Sequence, residues 1–153
     1  MIRPIATADV PGLKLLIDAT GLFPSSMLDG MIGGYLSGDA AGDIWLTLDD
    51  GDTQAIAYCA PERMTEGTWN LYLIAVHPGK QSKGIGATLL RHLEVLLQAK
   101  GERILLVETS GLPDYARTRA FYLKCGYHQE ARIRDFYQAG EDKIVFRKVL
   151  TAL

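Results

Sequence analysis

Leu71-Tyr72-Leu73-Ile74-Ala75-Val76-His77-Pro78-Gly79-Lys80-Gln81-Ser82-Lys83-Gly84-Ile85-Gly86 is the stretch on which the fold turns. It begins as an unbroken apolar run, which predicts a buried strand. It then passes a glycine-bearing turn and opens an amphipathic helix. The first N–H groups of a helix have no partner inside it, and they carry the positive end of its dipole. Glycine removes the Cβ atoms that would keep a bulky anion from the backbone. Strand, turn and helix start together predict a site for a phosphate-bearing ligand at residues 81–86.

Three phosphate binders compete for this pattern. A P-loop needs G-x-x-x-x-G-K-[ST]. Around Gly79-Lys80, Ile74 stands at the first glycine position and Gln81 at the Ser/Thr position, so that reading fails. A dinucleotide turn needs G-x-G-x-x-G soon after its strand. Gly84 and Gly86 fit, but Leu89 occupies the third glycine position, and His77-Pro78-Gly79-Lys80 makes the approach too long. The third pattern, [QR]-x-x-G-x-[GA] after a strand ending in Val-His-Pro, is met at every specified position. This run resembles the coenzyme A signature of the GNAT-type N-acetyltransferase superfamily.

Composition sets the outer limits. The chain has 153 residues, enough for one domain with a sizeable core. We expect a single domain over residues 1–153. With 16 Lys+Arg against 18 Asp+Glu, the net charge of −2 lacks the basic excess of a nucleic-acid binder. No apolar run approaches the ~20 residues that span a bilayer, and the start lacks a signal peptide's apolar region. Cys59 and Cys125 form no metal-type pair, and each lies among apolar residues. Both read as reduced core thiols, which suits the cytoplasm. His77, His92 and His128 show no metal spacing, so no metal is expected.

Along the chain, residues 2–6 read as a strand. A helix follows from Thr7 or Asp9 to about Thr20, with Pro11 in its first turn. Pro24-Ser25-Ser26 starts a second helix carrying Met27, Leu28, Met31, Ile32 and Tyr35, broken by residues 38–42. Residues 44–48 and 53–59 read as strands joined by the hairpin signal Asp49-Asp50-Gly51-Asp52. Residues 68–76 form a central strand that is apolar on both faces. The next helix runs from about Lys83 to Lys100. Ile85, Leu89, Leu93, Leu96 and Leu97 share its apolar stripe, with Arg91, Glu94 and Gln98 off it. Residues 103–108 read as a strand, 118–125 as a short helix, and 131–137 with 143–149 as a closing hairpin. The order predicts an α/β fold, a mixed sheet with helices on both faces. It also matches the GNAT-like acyl-CoA acyltransferase fold, so the resemblance extends over nearly the whole chain.

A second motif supports it. Phe121-Tyr122-Leu123-Lys124-Cys125-Gly126-Tyr127 resembles the F-Y-x-x-x-G-[FY] signature of the same superfamily, about forty residues after the first. Two positions depart from the family pattern: Tyr115 stands where an Asn is common and Thr118 where an Ala is common. The resemblance implies that Tyr122 is the acid that protonates the departing thiolate of a thioester. A phenol with an ordinary pKa near ~10 is protonated at neutral pH and suits that part. Cys125 as a nucleophile is the competing reading, and common packing of buried cysteine weighs against it.

An acceptor amine arrives mostly charged, so a base or water relay is also needed. Glu108 leads, because the family opens its active site where the two central strands diverge. Tyr72, Asn70, Glu66 and Asp135 are the other candidates. The resemblance further implies acetyl-CoA as co-substrate. Its phosphates would meet the backbone of Lys83, Gly84, Ile85 and Gly86, with Gln81 and Ser82 beside them. Its pantetheine arm would lie along the backbone of Ile74, Ala75 and Val76, with Tyr122 also touching the cofactor. Lys80, Lys83 and Lys124 could add positive charge.

The sequence therefore reads as an acyl-CoA-dependent N-acyltransferase, an acetyltransferase by resemblance, in which an unidentified amine attacks directly. No nucleic-acid or membrane partner is expected; a homodimer is compatible with the family. A non-catalytic acyl-CoA sensor and a partner-dependent subunit are the alternatives. An acidic wall of Asp39, Asp43, Glu66 and Asp135 would favour cationic acceptors if those residues converge.

Overall fold

Alternating apolar strands and amphipathic helices give a mixed sheet in the computed structural model, which describes residues 1–39 and 42–152. The strands are β1 (Ile2–Pro4), β2 (Ile44–Asp49), β3 (Thr53–Pro61), β4 (Thr68–Val76), β5 (Ile104–Ser110), β6 (His128–Gln138) and β7 (Glu141–Val149). The α-helices are α1 (Val10–Thr20), α2 (Leu28–Ser37), α3 (Ile85–Ala99) and α4 (Ala116–Lys124). The hydrogen-bonding order of the seven strands is β1-β2-β3-β4-β5-β7-β6. Parallel β4–β5 pairing beside antiparallel β5–β7 makes the sheet mixed, as the element order predicts. The break expected at residues 38–42 begins at Gly38, whose φ of 91° ends α2; residues 40 and 41 lie outside the described residues.

The chain forms two compact units. One comprises Met1–Ala60 with Leu73–Leu93, the other Pro61–Tyr72 with Glu94–Leu153. In the first, α1 begins with Pro11 in its opening turn and stops at Gly21, whose φ of 68° is left-handed. Leu13, Leu16 and Ile17 recur at helical spacing and bury completely against Ile5, Trp45, Ile56, Leu73 and Ala75. On α2 only Leu28 and Ile32 go under. Met27 and Met31, expected on the same helix, remain exposed. The β2–β3 hairpin turns where predicted: Gly51 adopts φ 100°, and its N–H donates to Asp49 Oδ1 at 2.9 Å. Asp49 Oδ2 in turn accepts from Arg3, which also forks onto both carboxylate oxygens of Asp9.

In the second unit, β4 pairs with β5 from Thr68↔Ile104 to Leu71↔Val107, where the register ends. Gly67 makes the entry to β4 possible. Its φ is 79°, and a Cβ there would come within 3.2 Å of the Arg103 backbone nitrogen. β5 pairs with β7 over its whole length, from Ile104↔Val149 to Ser110↔Lys143. Leu105, Val107, Tyr122, Tyr127, Ile144 and Phe146 bury between strands and helix. The closing hairpin is longer than predicted and turns at Ala139-Gly140, with Gln138 paired to Glu141. Every residue of β6 is exposed. Central strand β4, expected to be covered on both faces, exposes Tyr72.

Two residues depart from their sequence reading. Glu94, read as lying off the buried stripe of α3, is 1% exposed. Its carboxylate accepts from Tyr127 Oη at 2.7 Å and from Lys148 Nζ at 2.9 Å. Lys148 also donates to the Cys125 carbonyl at 2.9 Å, tying β7 to the end of α4. A charged group is buried here because it is paired and hydrogen-bonded, an exception that apolar periodicity does not report. Cys125, read as a core thiol, is only half buried and sits among charges. Burial and then Glu94 push its thiol up, while Lys148 and Lys124 oppose them.

Removing one partner of a buried ion pair leaves the other charge uncompensated, typically costing about 3–5 kcal/mol. We predict that Glu94→Ala lowers stability by an amount in that range, and that Glu94→Gln, which keeps a hydrogen-bonding side chain, costs less. Urea unfolding monitored by circular dichroism measures both.

Candidate functional site

The turn predicted to bind phosphate belongs to the first unit. Ile74, Ala75 and Val76 end β4; Ala75 is buried, while Ile74 and Val76 are partly exposed. Pro78–Lys80 forms one 3-10 turn, capped by His77, whose Nδ1 accepts from the Gly79 N–H at 3.1 Å. Gln81 then folds back, and its Nε2 donates to the Val76 carbonyl at 3.1 Å. Ser82 adopts φ 64° and Gly84 φ 77°. A left-handed serine costs about 1–2 kcal/mol relative to the ordinary conformation. Such strain persists where the surrounding structure imposes it, often at functional sites. The chain enters α3 at Ile85, with Gly86 next and with the Thr88 N–H and Oγ1 both donating to the Gly84 carbonyl.

This geometry fits an anionic ligand. A Cβ built on Gly84 would meet no protein atom within 4 Å, so the space above the turn is open. The helix behind it is 15 residues long, and the first N–H groups of any such helix have no partner within it. Lys80, Lys83, Gln81 and Ser82 are all exposed around the turn. Residues 81–84 thus join the 3-10 turn to α3, and residues 85 and 86 open that helix.

The second unit holds the two residues read as acid and base, in separate groups. Tyr122 on α4 is 3% exposed. Its ring lies among Phe121, Tyr127 and Phe146, with centroids 5.2, 5.7 and 5.8 Å away. Burial first, and then neighbouring Cys125, push its phenol above the ordinary tyrosine range, so it is neutral. Arg119 fixes the start of the same helix by donating to the carbonyls of Ser110 and Leu112, each at 2.8 Å. Tyr115 and Thr118, the two departures from the family motif, are exposed.

Glu108 lies on β5 with a third of its side chain exposed, 3.0 Å from Lys143 Nζ. Asn70 Nδ2 donates to Glu108 Oε2 at 3.0 Å and to Glu62 Oε1 at 2.8 Å. Tyr72 Oη also donates to Glu62, at 3.1 Å. Of the residues named as base candidates, Asn70, Tyr72 and Glu108 therefore converge. Glu66 and Asp135 take part in other contacts, Glu66 through its backbone and Asp135 through its carboxylate. Arg103 binds the Glu66 backbone carbonyl at 2.7 Å. Asp135 closes the β6–β7 turn by accepting from the Gly140 N–H at 2.8 Å. Asp43 accepts from Tyr58 and Asp39 from Ser37, so these two carboxylates, like that of Asp135, make local hydrogen bonds. Glu62 was missed: it follows Pro61 in a polar loop, and only the fold brings it to Asn70. Tyr137 lies close enough to Glu108 and Glu141 that their charges, after burial, push its phenol up. Among the described residues, no group of His, Cys, Asp and Glu is arranged to hold a metal. No helix among them is long and apolar enough to cross a membrane.

Comparison with known proteins places these features in context. The model of the acetyltransferase (GNAT) domain matches residues 40–129. The chain is 33% identical to a candidate GNAT-family acetyltransferase from Desulfovibrio desulfuricans. It superposes on that crystal structure with a TM-score of 0.92 over 99% of each chain. It is 31% identical over 84 residues to a mycothiol acetyltransferase from Beutenbergia cavernae; the match takes in 55% of this chain and only 28% of that longer protein. The fold is also shared with a candidate acetyltransferase from Salmonella typhimurium solved with its cofactor acetyl-CoA. There the TM-score is 0.78 at 17% identity, over 100% of this chain and 95% of that one.

The open space over Gly84 generates a test. Gly84→Val places a branched side chain in it and forces a left-handed valine. Coenzyme A affinity is expected to fall at least about tenfold, the scale of one lost charge-assisted hydrogen bond. Calorimetric titration gives the affinity, and circular dichroism checks that the variant remains folded.

Proposed function

Because the chain belongs to the GNAT family of acetyltransferases, we propose that it is an acyl-CoA-dependent N-acyltransferase, transferring acetyl to a primary amine by direct attack. The observation that carries this reading is the turn after β4. Two left-handed residues, Ser82 and Gly84, lead there into the start of α3, and the space at the Gly84 Cβ position is open. The backbone of Lys83, Gly84, Ile85 and Gly86 would hold the coenzyme A pyrophosphate, with Gln81 and Ser82 beside it. The backbone of Ile74, Ala75 and Val76, beyond the last β4–β5 pair at Leu71, would take the pantetheine arm as an added strand. Acetyl-CoA, when bound, supplies the thioester carbonyl that the amine attacks.

The chain's own residues have two tasks. The departing sulfur needs a proton, and the proposed donor is Tyr122. Its burial keeps the phenol neutral, so Oη retains a hydrogen to donate. The same burial makes full proton loss costly. Tyr122 therefore donates a hydrogen bond first and yields the proton only as negative charge builds on the sulfur. The amine must lose a proton, and Glu108 is the proposed acceptor or relay, oriented by Asn70 and Lys143. A sensor that only bound acyl-CoA would have no use for carboxylates held together by a buried asparagine. That cluster favours catalysis over the sensor reading. Two free cysteines suit a reducing compartment, and we place the activity in the cytoplasm.

Tyr122→Phe keeps the ring among Phe121, Tyr127 and Phe146 and deletes the proton. Turnover with acetyl-CoA and an accepted amine, read as free thiol, is expected to fall about 10²–10⁴-fold. Acetyl-CoA affinity should stay unchanged, marking a loss confined to the transition state. Turnover within about twofold of the parent, far short of that range, would remove Tyr122 from the reaction.

A further inference from the structure

The helix that carries Tyr122 has little apolar grip. Of the described residues of α4, Tyr122 alone is buried, and Leu123 is half exposed. A helix held by one side chain can pivot about it, so its ends need fastening by other means. Arg119 fastens the start through the carbonyls of Ser110 and Leu112. The end is fastened from β7, where Lys148 Nζ donates to the Cys125 carbonyl at 2.9 Å. The last carbonyls of a helix lack partners within it and carry the negative end of its dipole, so an ammonium group is favoured there.

The same ammonium belongs to a closed circuit of contacts. It donates to Glu94 Oε1 at 2.9 Å, and Glu94 Oε2 accepts from Tyr127 Oη at 2.7 Å. The Tyr127 N–H donates to the Tyr122 carbonyl at 3.0 Å. The two tyrosine rings meet edge to face, with centroids 5.7 Å apart. The circuit leaves Tyr122 along α4 to its cap at Cys125 and returns through Lys148, Glu94 and Tyr127. Glu94 and Tyr127 are 1% and 2% exposed. Stability alone is a poor reason to bury such a pair, because well-packed apolar residues of similar volume often serve as well or better. Setting one register is the better-attested use of buried ionic groups.

We propose that Lys148 is a positioning residue for acyl transfer, holding the Tyr122 hydroxyl in place through the Cys125 carbonyl on one side and through Glu94 and Tyr127 on the other. The proposal rests on the N-acyltransferase reading with Tyr122 as the acid. No bond to a reacting atom is made or broken at Lys148. A misplacement of about 1 Å can cost 10²-fold in rate, so a loose α4 lowers turnover without weakening the binding of coenzyme A.

The test removes both charges together, because Lys148→Met alone would leave Glu94 buried and unpaired. Glu94→Gln with Lys148→Met roughly keeps the volume and leaves Tyr127 an amide oxygen to donate to. Melting temperature and coenzyme A affinity are expected to stay close to the parent's. NMR of the chain with 13C-labelled tyrosine rings, assigned through Tyr122→Phe, reads the residue itself. In the double variant the Tyr122 ring is expected to reorient roughly tenfold or more faster, the scale of one lost charge-assisted hydrogen bond. Turnover of acetyl-CoA is read as free thiol, with butylamine, spermidine and a short peptide with a free N-terminus as acceptors. Turnover per folded molecule should fall about tenfold to a hundredfold. Added to Tyr122→Phe, the same two changes should lower the residual turnover by less than about twofold, because their effect runs through the deleted hydroxyl. Tyr127→Phe opens the circuit at the hydroxyl, leaves the Glu94–Lys148 pair standing, and should move the ring rate in the same direction; it decides the matter if the double variant does not fold. An unchanged ring rate, turnover equal to the parent's, or an equal loss in the Tyr122→Phe background would each overturn the proposal. Tyr122→Phe turning over like the parent would instead overturn the acid reading, and a parent inactive with every acceptor the N-acyltransferase reading; the ring rates alone then say whether Lys148 holds Tyr122.

Discussion

The chain leaving β4 has to reach α3 without covering the helix's first N–H groups, and that constraint shapes the first unit. It is met by Ser82 at φ 64° and Gly84 at φ 77°, two left-handed residues separated by Lys83. Right-handed residues at these positions would direct the chain differently. The turn is held from both sides. Gln81 is tied back to the Val76 carbonyl, and Thr88 is tied to the Gly84 carbonyl. The apolar stripe of α3, with Leu89, Leu90 and Leu93 fully buried, anchors the helix behind it. Apolar burial thus supplies the stability that offsets a strained and solvent-facing turn.

The second unit solves a different problem, that of keeping charged groups in partly dry surroundings. It does so by pairing. Glu94 meets Lys148 and Tyr127, and Glu108 meets Lys143. Both arrangements use β7 for the cation, with Lys143 and Lys148 at its two ends. The first arrangement is buried and fastens the end of α4, so its role is to hold Tyr122 in place. The second reaches solvent, and Asn70 links Glu108 there to Glu62. The contrast separates a buried charge pair that ties the end of α4 to β7 from a partly exposed one on β5.

Much of this was legible in the sequence, for physical reasons. The limits of β4 were read correctly because apolar runs and glycine breaks are local signals. The turn that leads into α3 was legible because glycine breaks an apolar run locally. Tyr122 was singled out by its resemblance to a family motif, and its burial is consistent with the aromatic residues around it in sequence. What escaped was long-range. Glu62 and Asn70 meet across a loop, and Glu94 and Lys148 are 54 residues apart. Periodicity assigns a glutamate to solvent, and only tertiary pairing reverses that. The local uses of Asp135 and Asp43, as turn and hydroxyl partners, are likewise not revealed by composition.

The claim on which the rest stands is that coenzyme A binds the turn after β4. Amide-resolved NMR titration of the chain with coenzyme A tests it most directly, because each backbone N–H reports for itself. The account predicts that the largest shifts fall on the amides of residues 82–87, with a second set along Ile74, Ala75 and Val76. Saturable binding whose shifts leave residues 82–87 undisturbed would contradict it.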